Sequence, residues 1–333
     1  MIKELGVDLG TSYIRICQKG RGIISRTPTV VAVDTKSRGI VAIGAEAKRM
    51  IGKTPSQITA YKPIRHGAIA DCDVLPDILV ALFESLNQGI NYARPSMIVG
   101  VPNGATEVER RAVENVMFDA GVRSVALVEA PVAAAIGSGL MISGRRGCMI
   151  VDCGGGTTEI ATLSMGGIVS ARSVRIGGDD MDAAIIKYLK DTKEVLIGPQ
   201  TAETLKNKIG AAHQSVDKGT MTVYGRNIRT GLAATEEVST AQVREAIKES
   251  VTKIVGSITV TLEESTPELA ADIYDYGIML TGGISLLPGL AEEITRTTRI
   301  RVTQAKNPLD STCRGIGRIL GGSAGYMPRY KTR

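Results

Sequence analysis

The sequence has no tryptophan and only two phenylalanines in 333 residues. Its core must therefore be built from Ile, Val, Leu, Ala and Met. Nucleic-acid binding is disfavoured, because no basic stripe with interleaved aromatics is present. No apolar run reaches the roughly 18 residues of a membrane-spanning helix. "MIKELGVDLG" enters a strand at once, so no signal peptide is expected. Any contact with a membrane is expected to be made from its surface. The five cysteines, Cys17, Cys72, Cys148, Cys153 and Cys313, include no pair at metal-ligand spacing, and their number is odd. Free thiols in a reducing cytoplasm are the expectation. Low-complexity segments and disordered linkers are also lacking.

What is present fits a soluble globular chain, with 43% hydrophobic and 22% charged residues. The length is too great for one compact core and implies at least two lobes. The net charge of +6 comes from scattered basic residues rather than a block. A solvated surface accounts for it, and attraction to an anionic membrane is the alternative.

The most informative stretch is "VDCGGGTTEIA", residues 151–161. An apolar strand ends in Asp152, followed by three glycines and two threonines. "LGVDLGTSYIRIC" near the N-terminus repeats the pattern around Asp8. A hairpin pattern follows each copy. Two copies of one supersecondary unit suggest duplicated α/β lobes that face each other. "SMIVGVP" and "SVALVEAP" read as buried strands, with an amphipathic helix between them that ends at Gly121. "ISGRRG" (142–147) reads as the break between lobes, and "TMTVYGRNIRTGLAATEEVS" as a polar hairpin inserted in the second.

Phosphate oxygens need close donors. Bare backbone supplies them where side chains are absent and the turn can adopt positive φ. Gly154, Gly155 and Gly156 meet that need, with Thr157 and Thr158 adding hydroxyls. Gly10, Thr11 and Ser12 offer the same from the other copy. Asp8 and Asp152 would repel phosphate directly but would hold Mg²⁺ through its waters. A third turn, "LTGGISLL" (280–287), would let backbone lie against a base or ribose.

This layout resembles the actin-like ATPase superfamily and, within it, the MreB/Mbl cell-shape family. The likeness runs over nearly the whole chain, through "GVDLGT", "TPTVVAVD", "KPIRHGAIADCDV", "VPNGATEVERRAV", "APVAAAIGSG", "VDCGGGTTEIATLSMGGIV", "IGGDDMDAAI" and "LTGGISLLPGL". The resemblance implies an α/β actin-like ATPase fold: duplicated ribonuclease H-like lobes, four subdomains and a central cleft for ATP and Mg²⁺. It implies a first lobe at 1–144 with 313–333, carrying a small subdomain at 33–65. The second lobe would be 145–312, with a small subdomain at 181–242. Asp8, Gly10 and Thr11 match the first phosphate motif, with Ser12 and Tyr13 beside them, and Asp152 to Thr158 match the second. Glu203 and Lys206, with Thr204 and Leu205 between, match the helix that flanks the nucleoside. Gly282 and Gly283, followed by Ile284 and Ser285, match the adenosine motif.

Four positions depart from the family pattern. Tyr13 replaces an asparagine, Ile284 a glycine and Lys208 an acid. The fourth is Ala130. It stands where the family carries the glutamate that orients the attacking water, in "EAP" rather than Glu-Glu-Pro. Alanine can neither position nor polarise water. Glu129 is one residue away and is the candidate catalytic acid, but in an extended segment it would point to the opposite face. It then reads as a packing or surface acid. Arg15 lies where several actin relatives carry a phosphate-binding lysine; an outward-facing strand arginine is the alternative. His66 and His213 read as structural. The chain is thus expected to bind ATP and to hydrolyse it weakly at most.

The resemblance further implies antiparallel double filaments of this chain, alone or with MreB paralogues, peripheral at the inner face of the cell membrane. Partners would be cell-wall synthesis membrane proteins of the MreC, MreD and RodZ types. Ile90 and Tyr92, in "NQGINYARPS", stand where relatives insert an apolar loop into lipid; an ordinary helix-to-strand loop is the alternative. A second reading is a degenerate actin-fold scaffold or regulator that co-assembles with a standard paralogue. A sugar kinase is a distant third, lacking a clear catalytic aspartate and sugar pocket.

Overall fold

The structure is a computed structural model that describes residues 4–86, 94–322, 326 and 329–332. Ile90 and Tyr92 lie outside the described residues. Two mixed sheets dominate. The first runs Tyr330–Thr332, Ser124–Glu129, Ser96–Val101, Glu4–Leu9, Tyr13–Gln18, Gly22–Pro28 in spatial order. The second runs Gly167–Val174, Thr158–Ser164, Cys148–Cys153, Ile278–Thr281, Val302–Gln304.

The two sheets share one plan. Strand Glu4–Leu9 pairs antiparallel with the following hairpin and parallel with Ser96–Val101. Strand Cys148–Cys153 does the same with its own hairpin and with Ile278–Thr281. Both central strands are apolar runs buried on both faces, as parallel-sheet strands require. Val7 and Val151 have no exposed surface. Asp8 and Asp152 are the next-to-last residues of these strands, just before the backbone leaves the sheet.

Helices Ala130–Ser138 and Ser311–Leu320 lie between the sheets. The cluster around them joins Ile98 and Val128 of the first sheet to Ile150 and Leu163 of the second. The two helices cross at Gly137 and Gly315. A Cβ at Gly137 would stand 1.8 Å from the Ser311 carbonyl oxygen, and one at Gly315 would stand 1.7 Å from that of Ala133. Only glycine permits that approach, which sets the distance between the sheets. The helix Glu107–Asp119 starts at a capping box, in which Thr106 Oγ1 accepts from the Glu109 N–H while the Glu109 carboxylate accepts from the Thr106 N–H.

Among the described residues three smaller sheets accompany the two large ones, two of three strands and the two-stranded pair Ile64–Arg65 with Ala68–Ile69. Val31–Asp34 lies between Ile40–Ile43 and Ile58–Tyr61. The hairpin Thr220–Asn227 and Ala233–Ser239 pairs with Val195–Leu196. Among the described residues no helix is long and apolar enough to cross a membrane.

Candidate functional site

A cleft of about 660 Å³ opens between the two large sheets, at the ends of the strands that carry Asp8 and Asp152. Gly10, Thr11, Ser12 and Tyr13 line one side, and Gly154, Gly155, Gly156 and Thr157 the other. The turns nearly touch. A Cβ at Gly155 would fall 2.0 Å from Ser12 Oγ, and one at Gly156 would fall 2.5 Å from Thr11 Oγ1 and 2.8 Å from the His66 nitrogen. The third turn closes the cleft through Gly282, Gly283 and Ile284. Gly282 has φ +83°, and a Cβ there would meet the Cys153 oxygen at 2.3 Å and Asp152 Oδ1 at 2.5 Å. The glycines therefore let these turns pack against one another at a distance that side chains would forbid.

Asp8 and Asp152 both line this cleft. Burial pushes the Asp8 carboxyl above its ordinary value, against the pull of Arg15, whose Nη1 donates at 3.3 Å. Asp152 is pushed up to about 7 by burial, partly offset by a 2.9 Å hydrogen bond from the Thr312 hydroxyl. Among the described residues no group of three or more His, Cys, Asp or Glu could hold a metal ion. A hard cation here would thus draw its remaining ligands from water and a bound phosphate, as Mg²⁺ ordinarily does. Two acids beside two glycine turns fit that arrangement.

Glu203 and Lys206 also line the cleft. Lys206 Nζ is 2.8 Å from both Asp182 Oδ1 and the Gly178 carbonyl oxygen. Asp182 is still pushed up to about 6, because burial outweighs its lysine. Four further candidates are not among the lining residues. Thr158 is buried, with its hydroxyl donating to the Ile176 oxygen at 2.9 Å. Ser285 shapes the third turn by donating to the Gly282 oxygen at 2.6 Å. Thr204 donates to its own helix at Gln200, and Leu205 is a core residue. Lys208 is exposed.

Ala130 lines the cleft and Glu129 does not. Strand Ser124–Glu129 ends at this point and the helix starts, with Pro131 in its first turn. Glu129 turns away from the cleft to Arg110 Nη2 at 3.4 Å and the Tyr326 hydroxyl at 3.2 Å. His66 Nδ1 is 3.2 Å from the Gly156 oxygen, and His213 Nδ1 is 2.8 Å from Ser215 Oγ.

Several cleft residues escaped the sequence reading. Asp310 receives both Nε and Nη2 of Arg26, at 3.0 and 2.7 Å. Across the mouth, Lys62 Nζ lies 2.7 Å from both oxygens of Asp179, and Lys48 Nζ lies 2.8 Å from Glu203. Glu159 lines the cleft with its side chain almost fully buried. It pairs across the strands with Asp152 as Arg15 pairs with Asp8. The duplicated unit was the signal: in each copy a charged residue follows the aspartate by seven positions.

The family model described as MreB/Mbl protein matches residues 2–325. The chain belongs to the MreB/Mbl family. It is 42% identical over 323 residues to the cell shape-determining protein MreB of Escherichia coli, covering 95% of this chain and 93% of that one. It is 39% identical over 318 residues to the cell shape-determining protein Mbl of Bacillus subtilis, covering 96% of each. Among solved structures, MreB 5 of Spiroplasma citri bound to AMPPNP superposes with a TM-score of 0.90 at 31% identity, covering 95% of both chains. The fold is thus the actin-like ATPase fold, and the glycine cleft lies between its two halves.

Proposed function

We propose that this chain is a cell-shape cytoskeletal protein that binds ATP with Mg²⁺ in the cleft, turns it over slowly and assembles into membrane-associated filaments. The observation that carries this reading is the pair of facing glycine turns, each beside an aspartate, around a cleft of about 660 Å³. The nucleotide-bound relative and the names of the curated relatives support it.

In this reading the backbone N–H groups of 10–12 and 155–157 receive the phosphates, while that of Gly154 donates to the Thr157 oxygen and closes the turn. Asp8 and Asp152 orient Mg²⁺ through its waters, and the cation supplies charge neutralisation at the phosphates. Glu203 and Lys206 flank the nucleoside, and Gly282 to Ile284 lie against the base. Slow turnover follows from Ala130, because a methyl group cannot polarise water. Self-association, with or without a paralogue, and contacts to cell-wall synthesis membrane proteins of the MreC, MreD and RodZ types belong to the same proposal. So does the lipid contact of Ile90 and Tyr92, which would depend on avidity along the filament.

Equilibrium binding of a fluorescent ATP analogue with Mg²⁺, joined to sedimentation of the chain alone, tests this reading. Nucleotide-dependent pelleting is expected. Pelleting only with an added paralogue would favour the scaffold reading, and no binding at all would refute the nucleotide site.

A further inference from the structure

The loss of the family glutamate at Ala130 leaves open which group holds the attacking water. Glu129 is excluded by its direction, since its carboxylate is committed to Arg110 and Tyr326 outside the cleft. The acids that line the cleft are mostly neutralised. Asp8, Asp179, Asp182, Glu203 and Asp310 each form an ion pair with Arg or Lys. Among the described cleft residues this leaves Asp152, which lies beside Asp8 at the metal position, and Glu159.

We infer that Glu159 positions the attacking water in this chain. The inference rests on the ATP-binding reading above and goes beyond it by naming a residue for the reaction. Three observations support it. First, Glu159 is 3% exposed and lines the cleft, so water reaching its carboxylate comes from the cleft. Second, the segment that donates to its carboxylate runs beside Ala130. The Asn103 N–H donates to Glu159 Oε2 at 3.2 Å. Val101 pairs in register with Glu129, so Pro102 and Asn103 leave the sheet beside Ala130, and Pro102 and Ala130 line the same cleft. Third, the carboxylate is fixed in place. Ser173 Oγ donates to Oε1 at 2.6 Å, and the Thr157 hydroxyl bonds it from the phosphate turn. A carboxylate offers about four acceptor positions, so these three donors leave one for a water.

The step is hydrolysis of the terminal phosphoanhydride. The water oxygen bonds to the terminal phosphorus as the bond from that phosphorus to the bridging oxygen breaks. The bonding pair leaves on the diphosphate. Glu159 accepts a proton from the water and returns it to the released phosphate.

The test uses the full chain, Glu159→Gln, and Glu159→Gln combined with Ala130→Glu. Glutamine keeps the shape, and its amide can still satisfy Asn103 and Ser173. Phosphate release at saturating ATP and the affinity for a fluorescent ATP analogue are measured on the same samples. Glu159→Gln is expected to cut the slow release of the unmodified chain by about tenfold or more, within the range for loss of a general base. Affinity should change by less than about threefold, since the residue acts on water rather than nucleotide. Adding Ala130→Glu should restore release, which would not happen if Glu159 merely supported the fold. Release by Glu159→Gln at the unmodified rate would overturn the inference. So would loss of release that Ala130→Glu does not restore, or binding by the unmodified chain with no release. Absence of nucleotide binding by the unmodified chain would instead refute the nucleotide reading itself.

Discussion

Ala130 and Glu129 are neighbours in the chain, yet only Ala130 faces the cleft. The boundary between a strand and a helix falls between them. Alternation along the strand sends Glu129 to the side of Arg110, and the helix start turns Ala130 toward the glycine turns. The carboxylate in "EAP" therefore cannot replace the missing one by a small rotation. Glu129→Gln is expected to leave phosphate release within about twofold of the unmodified chain, since its carboxylate bonds Arg110 and Tyr326 outside the cleft. A loss of tenfold in a release assay would show that Glu129 reaches the reaction.

Two ion pairs link residues that line the cleft to the segment 45–62. Lys62 pairs with Asp179 on the helix Gly178–Lys193, and Lys48 with Glu203 on the helix Pro199–Ile209. Their side chains are about one-third exposed, so each pair contributes roughly 0.2–1 kcal/mol. Lys62→Ala and Lys48→Ala should each speed release of a fluorescent nucleotide by about two- to fivefold, and the double variant by more. Stopped-flow displacement measures this. The effect should shrink in high salt, where exposed pairs are screened.

Gly156 has no room for a side chain. A Cβ would press on Thr11 Oγ1, the His66 backbone nitrogen and Thr11 Cγ2, at 2.5 to 2.8 Å. Gly156→Ala should force the two phosphate turns apart and weaken nucleotide binding by about tenfold or more, with the circular dichroism spectrum retained. Unchanged affinity in a titration would mean that the turns do not act together on the ligand.

Asp152 gives a pH dependence with a definite sign. Burial raises its carboxyl from 3.8 to about 7 in the protein without metal. The folded chain then holds this proton more tightly than the unfolded chain. The associated stability is fully present below about 3.8 and is lost as pH rises through about 7. In chelator and without nucleotide, the melting temperature should fall between about pH 4 and about pH 7 and level off above that. Asp152→Asn should flatten that fall. Identical pH profiles for both proteins would contradict it.

The fold was legible where the chain repeats itself. Asp8 and Asp152 lie at the ends of apolar strands of the same plan, and three-glycine and Gly-Thr-Ser turns follow them; any one such turn could be a plain tight turn, and it was their repetition beside an acid that pointed to a site. The helix carrying Glu203 and Lys206 was legible as a cleft element, but not the division between lining and packing residues. Thr204 and Leu205 lie between those two residues in sequence, yet helix geometry turns them elsewhere. Thr158 belongs to the glycine motif, but the strand that begins there buries it beneath the turn. The ion pairs of Arg26, Lys48 and Lys62 join residues far apart in sequence, and no local pattern announces them. Glu159 had a local signal, the shared seven-residue offset, that gains meaning only once the strands are paired.

The most direct measurement is single-turnover phosphate release by the unmodified chain beside Ala130→Glu, at matched nucleotide occupancy. Slow release by the unmodified chain, rising about tenfold or more with the added carboxylate, is the predicted result. Equal rates in the two proteins would contradict the claim that Ala130 limits turnover.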